Sequence, residues 1–373
     1  MIDIAGIISM LYILITPKYP HPMAYYPSLR EYKTKGERVR IIENIQRLKA
    51  ALDEQVPAKN LESNLLIATW NIREFGKNTK AMRMKEVFFY MAEIISSYDL
   101  VAVQEIGEDL DDLKTLMRLL GPEWDYIVTD LTEGASGNGE RLAFVFDKRK
   151  VAFRKMAGEI VLPAVKGKNT TQPARSPFIV AFQAGWFKFY ITTVHIYYGK
   201  ASKNTAEYKR RVEEIGAVAE FLKKRCKREK SNHLLLGDFN ITGRDDNDPT
   251  MAALTKGGFR IPDNLVALAN ANTNTDRNKP YDQIAYIDQK GYMEFAKAGN
   301  SVGVFDFYQH VFRGEDENSY KAEVEKTKLR NFKEWKTYQM SDHLPLWIEF
   351  KVDFSEKYLE KLKTEEFDWK PAK

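Results

Sequence analysis

The chain has 373 residues, 44% of them hydrophobic, which is enough apolar material for one large core or two modest ones and excludes a disordered polypeptide. A formal net charge of +5, from 57 basic and 52 acidic side chains, neither demands nor opposes a polyanionic partner. The single cysteine excludes any intrachain disulfide, so a disulfide-stapled extracellular design is set aside and a cytoplasmic location is expected.

The chain opens on an apolar run, Ile4 to Ile15, followed by Pro17, Pro20 and Pro22. About a dozen residues fall short of the ~20 that span a bilayer, and no basic residue precedes them as in a secretory signal. Two readings of residues 1–22 stay open: a weak membrane anchor through residues 4–16, or a stretch lying ahead of a native start at Met23. Residues 23–62 read as an appended helical extension, with Ile41, Ile42, Ile45, Leu48 and Leu52 at helical spacing and Pro57 as a stop.

The main domain is expected over residues 63–353. Leu65 to Trp70 predicts a buried strand ending in the polar loop Asn71 to Gly76. A helix follows, with Met84, Val87, Phe88, Met91 and Ile95 facing inward, and then a strand from Leu100 to Gln104 with Glu105 at its end. Leu110, Leu113, Met117 and Leu120 mark a further helix. Strands are then expected near Tyr126, over Arg141 to Asp147, Val151 to Arg154, Phe178 to Phe182 and Trp186 to Ile196.

Thr205 to Arg228 reads as a helix whose apolar stripe, Tyr208, Val212, Ile215, Ala219 and Leu222, includes Cys226, so that thiol is expected to be buried and structural. From Lys200 to Lys230 basic residues outnumber acidic ones, and the plain reading is a solvated helix face. The stretch His233 to Gly237 is an apolar strand that runs into Asp238-Phe239-Asn240. Alternation would turn Asp238 and Asn240 to one side and Phe239 into the core. A loop rich in Asp, Asn and Thr comes next, then a strand from Gln283 to Ile287, a charged helical segment from Ser319 to Tyr338, and Ser341-Asp-His343 feeding a last strand. Residues 354–373 form a charged tail. His21, His233 and His310 are taken as structural or exposed.

Five apolar strands thus end in, or run into, chemistry-bearing side chains: Asn71, Glu105, His195, Asp238 with Asn240, and Asp342 with His343. Each alone has an ordinary explanation as a turn or core residue. Together they point to one cleft, because loops at strand ends gather residues that are distant in sequence. Many strands with helices interspersed and no composition break predict a layered α/β sandwich.

In order and spacing, the strings Thr69 to Gly76, Val103-Gln-Glu105, Glu140 to Phe146, Thr193-Val-His195, Gly237 to Asn240, Tyr281 to Ile284, Phe305 to Phe307 and Ser341 to His343 resemble the endonuclease/exonuclease/phosphatase superfamily, and within it the deoxyribonuclease I-like branch. The resemblance implies a four-layered β-sandwich with flanking helices, of α/β (α+β) class, and Mg2+-dependent phosphodiester hydrolysis, with Mn2+ or Ca2+ as substitutes. It implies Glu105 as the principal metal ligand, with Asn71 and Asp342 beside the metal. His343, oriented by Asp282, would activate water, and Asp238 and Asn240 would position that water or the phosphate. His195, paired with Glu140, would assist the leaving oxygen. Asn71, Arg73, Arg141 and Arg175 would contact substrate.

The resemblance has departures. The branch carries an arginine and a tyrosine that enter the DNA minor groove, and here those positions are Gly107 and Asn138. Added material lies in the first 60 residues, from Arg244 to Asn278, and from Arg313 to Tyr338. A monomeric DNA endonuclease is the leading expectation. A phosphatase or phospholipid phosphodiesterase of the same superfamily is the alternative, and a non-catalytic binding protein with this fold is the third.

Overall fold

Strand alternation splits the apolar residues of this chain among three cores, and the split dictates the layering. The computed structural model describes residues 24–133, 138–164, 172–245, 247–289, 291, 293–296 and 301–364; the apolar run at 4–16, His21 and the end of the charged tail lie outside them. In chain order the strands are β1 (Asn64–Phe75), β2 (Leu100–Ile106), β3 (Trp124–Val128), β4 (Arg141–Asp147), β5 (Ala152–Glu159), β6 (Phe178–Ala184), β7 (Phe187–His195), β8 (His233–Asp238), β9 (Asp282–Ile287), β10 (Val302–Val304) and β11 (Leu346–Lys351). The longer helices are α1 (Lys35–Gln55), α2 (Lys85–Ser96), α3 (Asp111–Leu120) and α4 (Ala206–Glu229), followed by α5 (Pro249–Lys256), α6 (Asp263–Ala267), α7 (Glu317–Glu325), α8 (Phe332–Gln339) and α9 (Ser355–Thr364).

One sheet runs β10-β11-β1-β2-β4-β3 and the other β5-β6-β7-β8-β9. Each has a single parallel pair, β1 with β2 and β7 with β8, and its other pairs are antiparallel. Leu65 and Ile67 of β1 point between the sheets, where they join Phe144, Phe182, Phe189, Leu234, Leu236 and Ile348 in the central core. Leu66, Ala68 and Trp70, one residue out of phase, point to the opposite face and pack with Ile41 and Leu48 of α1 and Phe89 and Ile94 of α2. On the far sheet Val194, Leu235 and Ala285 face Ile215, Val218 and Leu222 of α4 and Leu254 of α5. The result is helices, sheet, sheet, helices, the predicted four layers. Removing such a side chain from water stabilises by roughly 1.5–3 kcal/mol, so the two outer cores hold the helices firmly.

Helix starts follow their caps: Thr34 Oγ1 accepts from Glu37 N before α1, and Thr205 Oγ1 from Tyr208 N before α4. Cys226 is buried on the inner face of α4, as its register implied. Arg211, on the same helix, is the exception to the solvated basic face: it is fully buried. The segment from Ser319 to Tyr338 forms parts of two helices instead of one, and the polar loop after Asn240 contains α5 and α6. β1 does not stop at Trp70. It continues to Phe75 through a register shift against β2 between Asn71 and Phe75, so the expected loop is a bulged strand end. Among the described residues no helix is long and apolar enough to cross a membrane.

Candidate active site

The two parallel pairs end at the same edge of the sandwich, and that edge gathers the polar side chains. Register alone places three of them in a row: His195 of β7 pairs with Asp238 of β8, and Asp238 pairs with Asp282 of β9. The neighbouring sheet contributes Asn71 from β1, Glu105 from a bulge at the end of β2, and Asp342 and His343 from the turn before β11.

Gly237 makes the approach of β7 and β8 feasible. Its φ is +133°, and a Cβ there would lie 2.2 Å from Val194 O, so only glycine lets the backbone come this close. Two site residues, Glu105 (φ +64°) and Asn240 (φ +53°), hold left-handed backbone that non-glycine residues rarely adopt. Asn240 therefore sits beside Asp238 by a turn rather than by pleat alternation: its N–H donates to Asp238 Oδ1 at 2.8 Å, and its Nδ2 donates to Ile196 O at 2.9 Å. Phe239 is buried between them, as expected.

Two imidazole–carboxylate pairs converge on Asp238. His343 Nδ1 is 2.7 Å from Asp282 Oδ2, and its Nε2 is 3.8 Å from Asp238 Oδ2. His195 Nδ1 is 2.9 Å from Glu140 Oε2, and its Nε2 is 3.6 Å from the same Asp238 oxygen and 3.9 Å from Glu105 Oε1. Burial opposes charge on His343, but Asp282, Asp238 and Asp342 outweigh it and raise the ring well above the ordinary imidazole range. At His195, burial and Arg175 favour the neutral ring, while Glu140 and Asp238 more than offset them and raise it. Burial would push the Glu140 carboxyl up. Instead His195, Arg175 (2.9 Å) and Lys77 (3.2 Å) hold it well below the usual carboxylate range.

Asn71 gives both amide protons to carboxylates, one to Glu105 Oε1 at 2.9 Å and one to Asp238 Oδ2 at 3.0 Å. Its Oδ1 is buried and has no hydrogen-bond partner among the described residues. An orphaned acceptor beside the Glu105 carboxylate, whose Oε2 accepts the Glu74 N–H at 2.9 Å, is a donor set that suits a hard cation. Atoms of Asp238, Asp282 and His343 also lie within 4.8 Å of one another. Two of these groups are engaged with each other, however, so that cluster serves better as a proton relay than as a cation cage.

Of the expected substrate contacts, Arg73 lies on the Tyr338 ring (3.8 Å), donates to Thr337 Oγ1 and Tyr338 Oη at 2.7 Å each, and stands 3.7 Å from Asp342 Oδ2. Arg175 reaches the site through Glu140. Arg141 is engaged apart from these groups, on Thr129 O at 2.9 Å and Asp130 at 3.1 Å. Sequence reading passed over Ser341, whose hydroxyl donates to Asn71 O (2.6 Å) and accepts from Arg73 N and His343 N, tying two motif strings together. It also passed over Lys77, which bridges Glu140 and Asn138 O, and Tyr281, whose ring is 5.5 Å from that of His343. Ser341 and Tyr281 lay inside the motif strings, and Lys77 directly follows one.

Residues 68–288 match the model of the Endonuclease/Exonuclease/phosphatase family. The fold is similar to that of the human Nocturnin catalytic domain with bound sulfate anion, at 15% identity and a TM-score of 0.50, covering 78% of this chain and 96% of that one. An endonuclease/exonuclease/phosphatase family protein from Bacteroides thetaiotaomicron aligns at 18% identity and a TM-score of 0.48 over 79% and 97% of the two chains. TDP2 of D. rerio complexed with single strand DNA product aligns at 16% and 0.48 over 78% and 99%. No curated protein matches the sequence.

Proposed function

The chain belongs to the endonuclease/exonuclease/phosphatase family of phosphoester hydrolases, and on that premise we propose that it is a divalent-metal-dependent phosphodiesterase that cleaves DNA. The observation that carries this reading is the pair of carboxylate-held imidazoles that both approach one Asp238 oxygen. Hydrolysis of a phosphodiester needs a base for the attacking water and an acid for the departing oxygen; two separately oriented rings provide one of each.

Glu105, Asn71 and Asp342 are the residues that would hold Mg2+. A hard cation there supplies charge neutralisation to the phosphoryl oxygens. The rest falls to the chain's own groups. Asp282 fixes the His343 ring through Nδ1, and in its neutral form the ring accepts the water's proton at Nε2; positive charge held by Glu105, Asn71 and Asp342 would favour that form by offsetting the carboxylates that raise the ring. His195, whose hold on a proton Glu140 and Asp238 strengthen, would present its Nε2 proton to the leaving oxygen. Asp238, fixed by Asn71 and Asn240, aligns the water between the rings. Arg73 and Arg175 add positive charge at the rim and behind Glu140.

The test is hydrolysis of plasmid DNA, single-stranded DNA, RNA, a sugar phosphate, a phosphoinositide and sphingomyelin with Mg2+ and with EDTA. DNA cleavage that EDTA abolishes is the expected result. Turnover confined to the sugar phosphate or the lipids overturns it.

A further inference from the structure

One exposed aromatic residue stands apart from the other surface rings. Tyr198, three residues past His195, is 43% exposed. Isolated surface aromatics are ordinary, and Trp186, at 54%, is one that simply packs on Tyr358 with ring centroids 5.4 Å apart. Tyr198 differs in how it is held and in what it adjoins. Its carbonyl accepts from the buried Arg211, whose guanidinium also binds Tyr197 O (3.2 Å), Lys200 O (3.1 Å) and Asn240 O (2.9 Å). The same guanidinium lies over the Tyr198 ring, 4.9 Å from its centroid. Tyr281 meets Tyr198 at 87° with centroids 6.3 Å apart, and Tyr281 in turn lies 5.5 Å from the His343 ring. An aromatic surface open to solvent is thus fixed at two ring contacts from the imidazole that would activate water.

We propose that Tyr198 is the stacking platform for a nucleobase next to the scissile phosphate, so that the site takes nucleic acid with an unpaired base in preference to a sugar phosphate or a lipid. Every nucleobase has a π-face, and a rigid aromatic surface at a cleft rim captures one without reading its sequence. Arg211 contributes twice. It removes the freedom of the loop that carries Tyr198, which lowers the cost of ordering on binding, and its charge on one side polarises the ring. A phosphosugar offers this surface only a C–H face and an acyl chain only methylenes, so neither supplies the π-face that base stacking uses. The proposal rests on the phosphodiesterase reading, and it assigns the substrate class of that site.

The test compares kcat and KM for an oligothymidylate and for an oligonucleotide of equal length made of abasic tetrahydrofuran units, with Mg2+, in wild type, Tyr198→Ala and Tyr198→Trp. The wild type is expected to favour the base-bearing strand. Tyr198→Ala should lower that preference about tenfold, mainly through KM, and Tyr198→Trp should keep it. An equal loss on both strands in Tyr198→Ala, or no preference in the wild type, overturns the stacking assignment while leaving the hydrolase reading intact. A wild type inactive on both strands but active on the sugar phosphate overturns the reading beneath it as well.

Discussion

Asp238 is where the chemistry of this site converges. One of its oxygens accepts from Asn71 and lies within 4 Å of both imidazoles, and the other accepts from the backbone of Asn240. An amide at that position keeps the shape and removes the charge that both rings sense, while the Glu105 oxygens stay in place. Asp238→Asn should therefore lower kcat by about a hundredfold or more with the apparent Mg2+ affinity changed less than about threefold; parallel losses in the two would make Asp238 a metal ligand instead. His233, at the other end of β8, shows the opposite use of an imidazole. Burial, with Arg225 adding to it, lowers its pKa to about 3, and its ring stacks on Tyr190 at 4.9 Å. A depressed folded-state pKa contributes stability that is present above the unfolded value near 6.5 and is lost as pH falls toward 3. Relative to His233→Phe, the wild type should lose about 2 kcal/mol between pH 6.5 and 5 in urea unfolding. Equal slopes would mean that the ring is hydrated.

Which elements the sequence disclosed follows from how each is stabilised. β8 and β2 are buried on both faces, so their apolar runs gave their ends away, and α4 declared itself through its stripe. The bulges at Arg73–Glu74 and at Glu105 were hidden, because no glycine or proline marks them and left-handed backbone at Glu74 and Glu105 runs against local preference. The same reason concealed the turn at Asn240, which alternation had placed on a strand. Gly237 was visible as a residue, yet its cause, the carbonyl of Val194 on the parallel neighbour, belongs to pairing between β7 and β8. Gly237→Ala should cost about 2 kcal/mol or more in chemical denaturation, from positive-φ strain and the clash with backbone that cannot retreat. A loss under about 0.5 kcal/mol would show that the two strands can part there.

At the scale of the molecule, the sandwich brings two parallel pairs together so that β1, β2, β7 and β8 deliver Asn71, Glu105, His195 and Asp238 to one edge, and the turn before β11 closes the set with Asp342 and His343. That convergence was legible because each residue stands at the end of an apolar run. Contacts made through side-chain reach were not: Lys77 on Glu140, Arg211 beneath Tyr198, and Ser341 joining Asn71 to His343 depend on loops whose paths no periodicity encodes. The added segments also acquired a place only in three dimensions. α8 sets Arg73 through Thr337 and Tyr338, and α7 reaches across to α2, where Tyr320 Oη donates to the buried Glu86 at 2.6 Å. The most direct measurement is the Mg2+-dependent rate of single-stranded DNA cleavage by wild type and by His343→Ala, purified together and matched for folding by circular dichroism. A wild-type rate that EDTA abolishes, with a loss of about a thousandfold in the variant, is the expected result; wild-type turnover in His343→Ala would contradict the site as built.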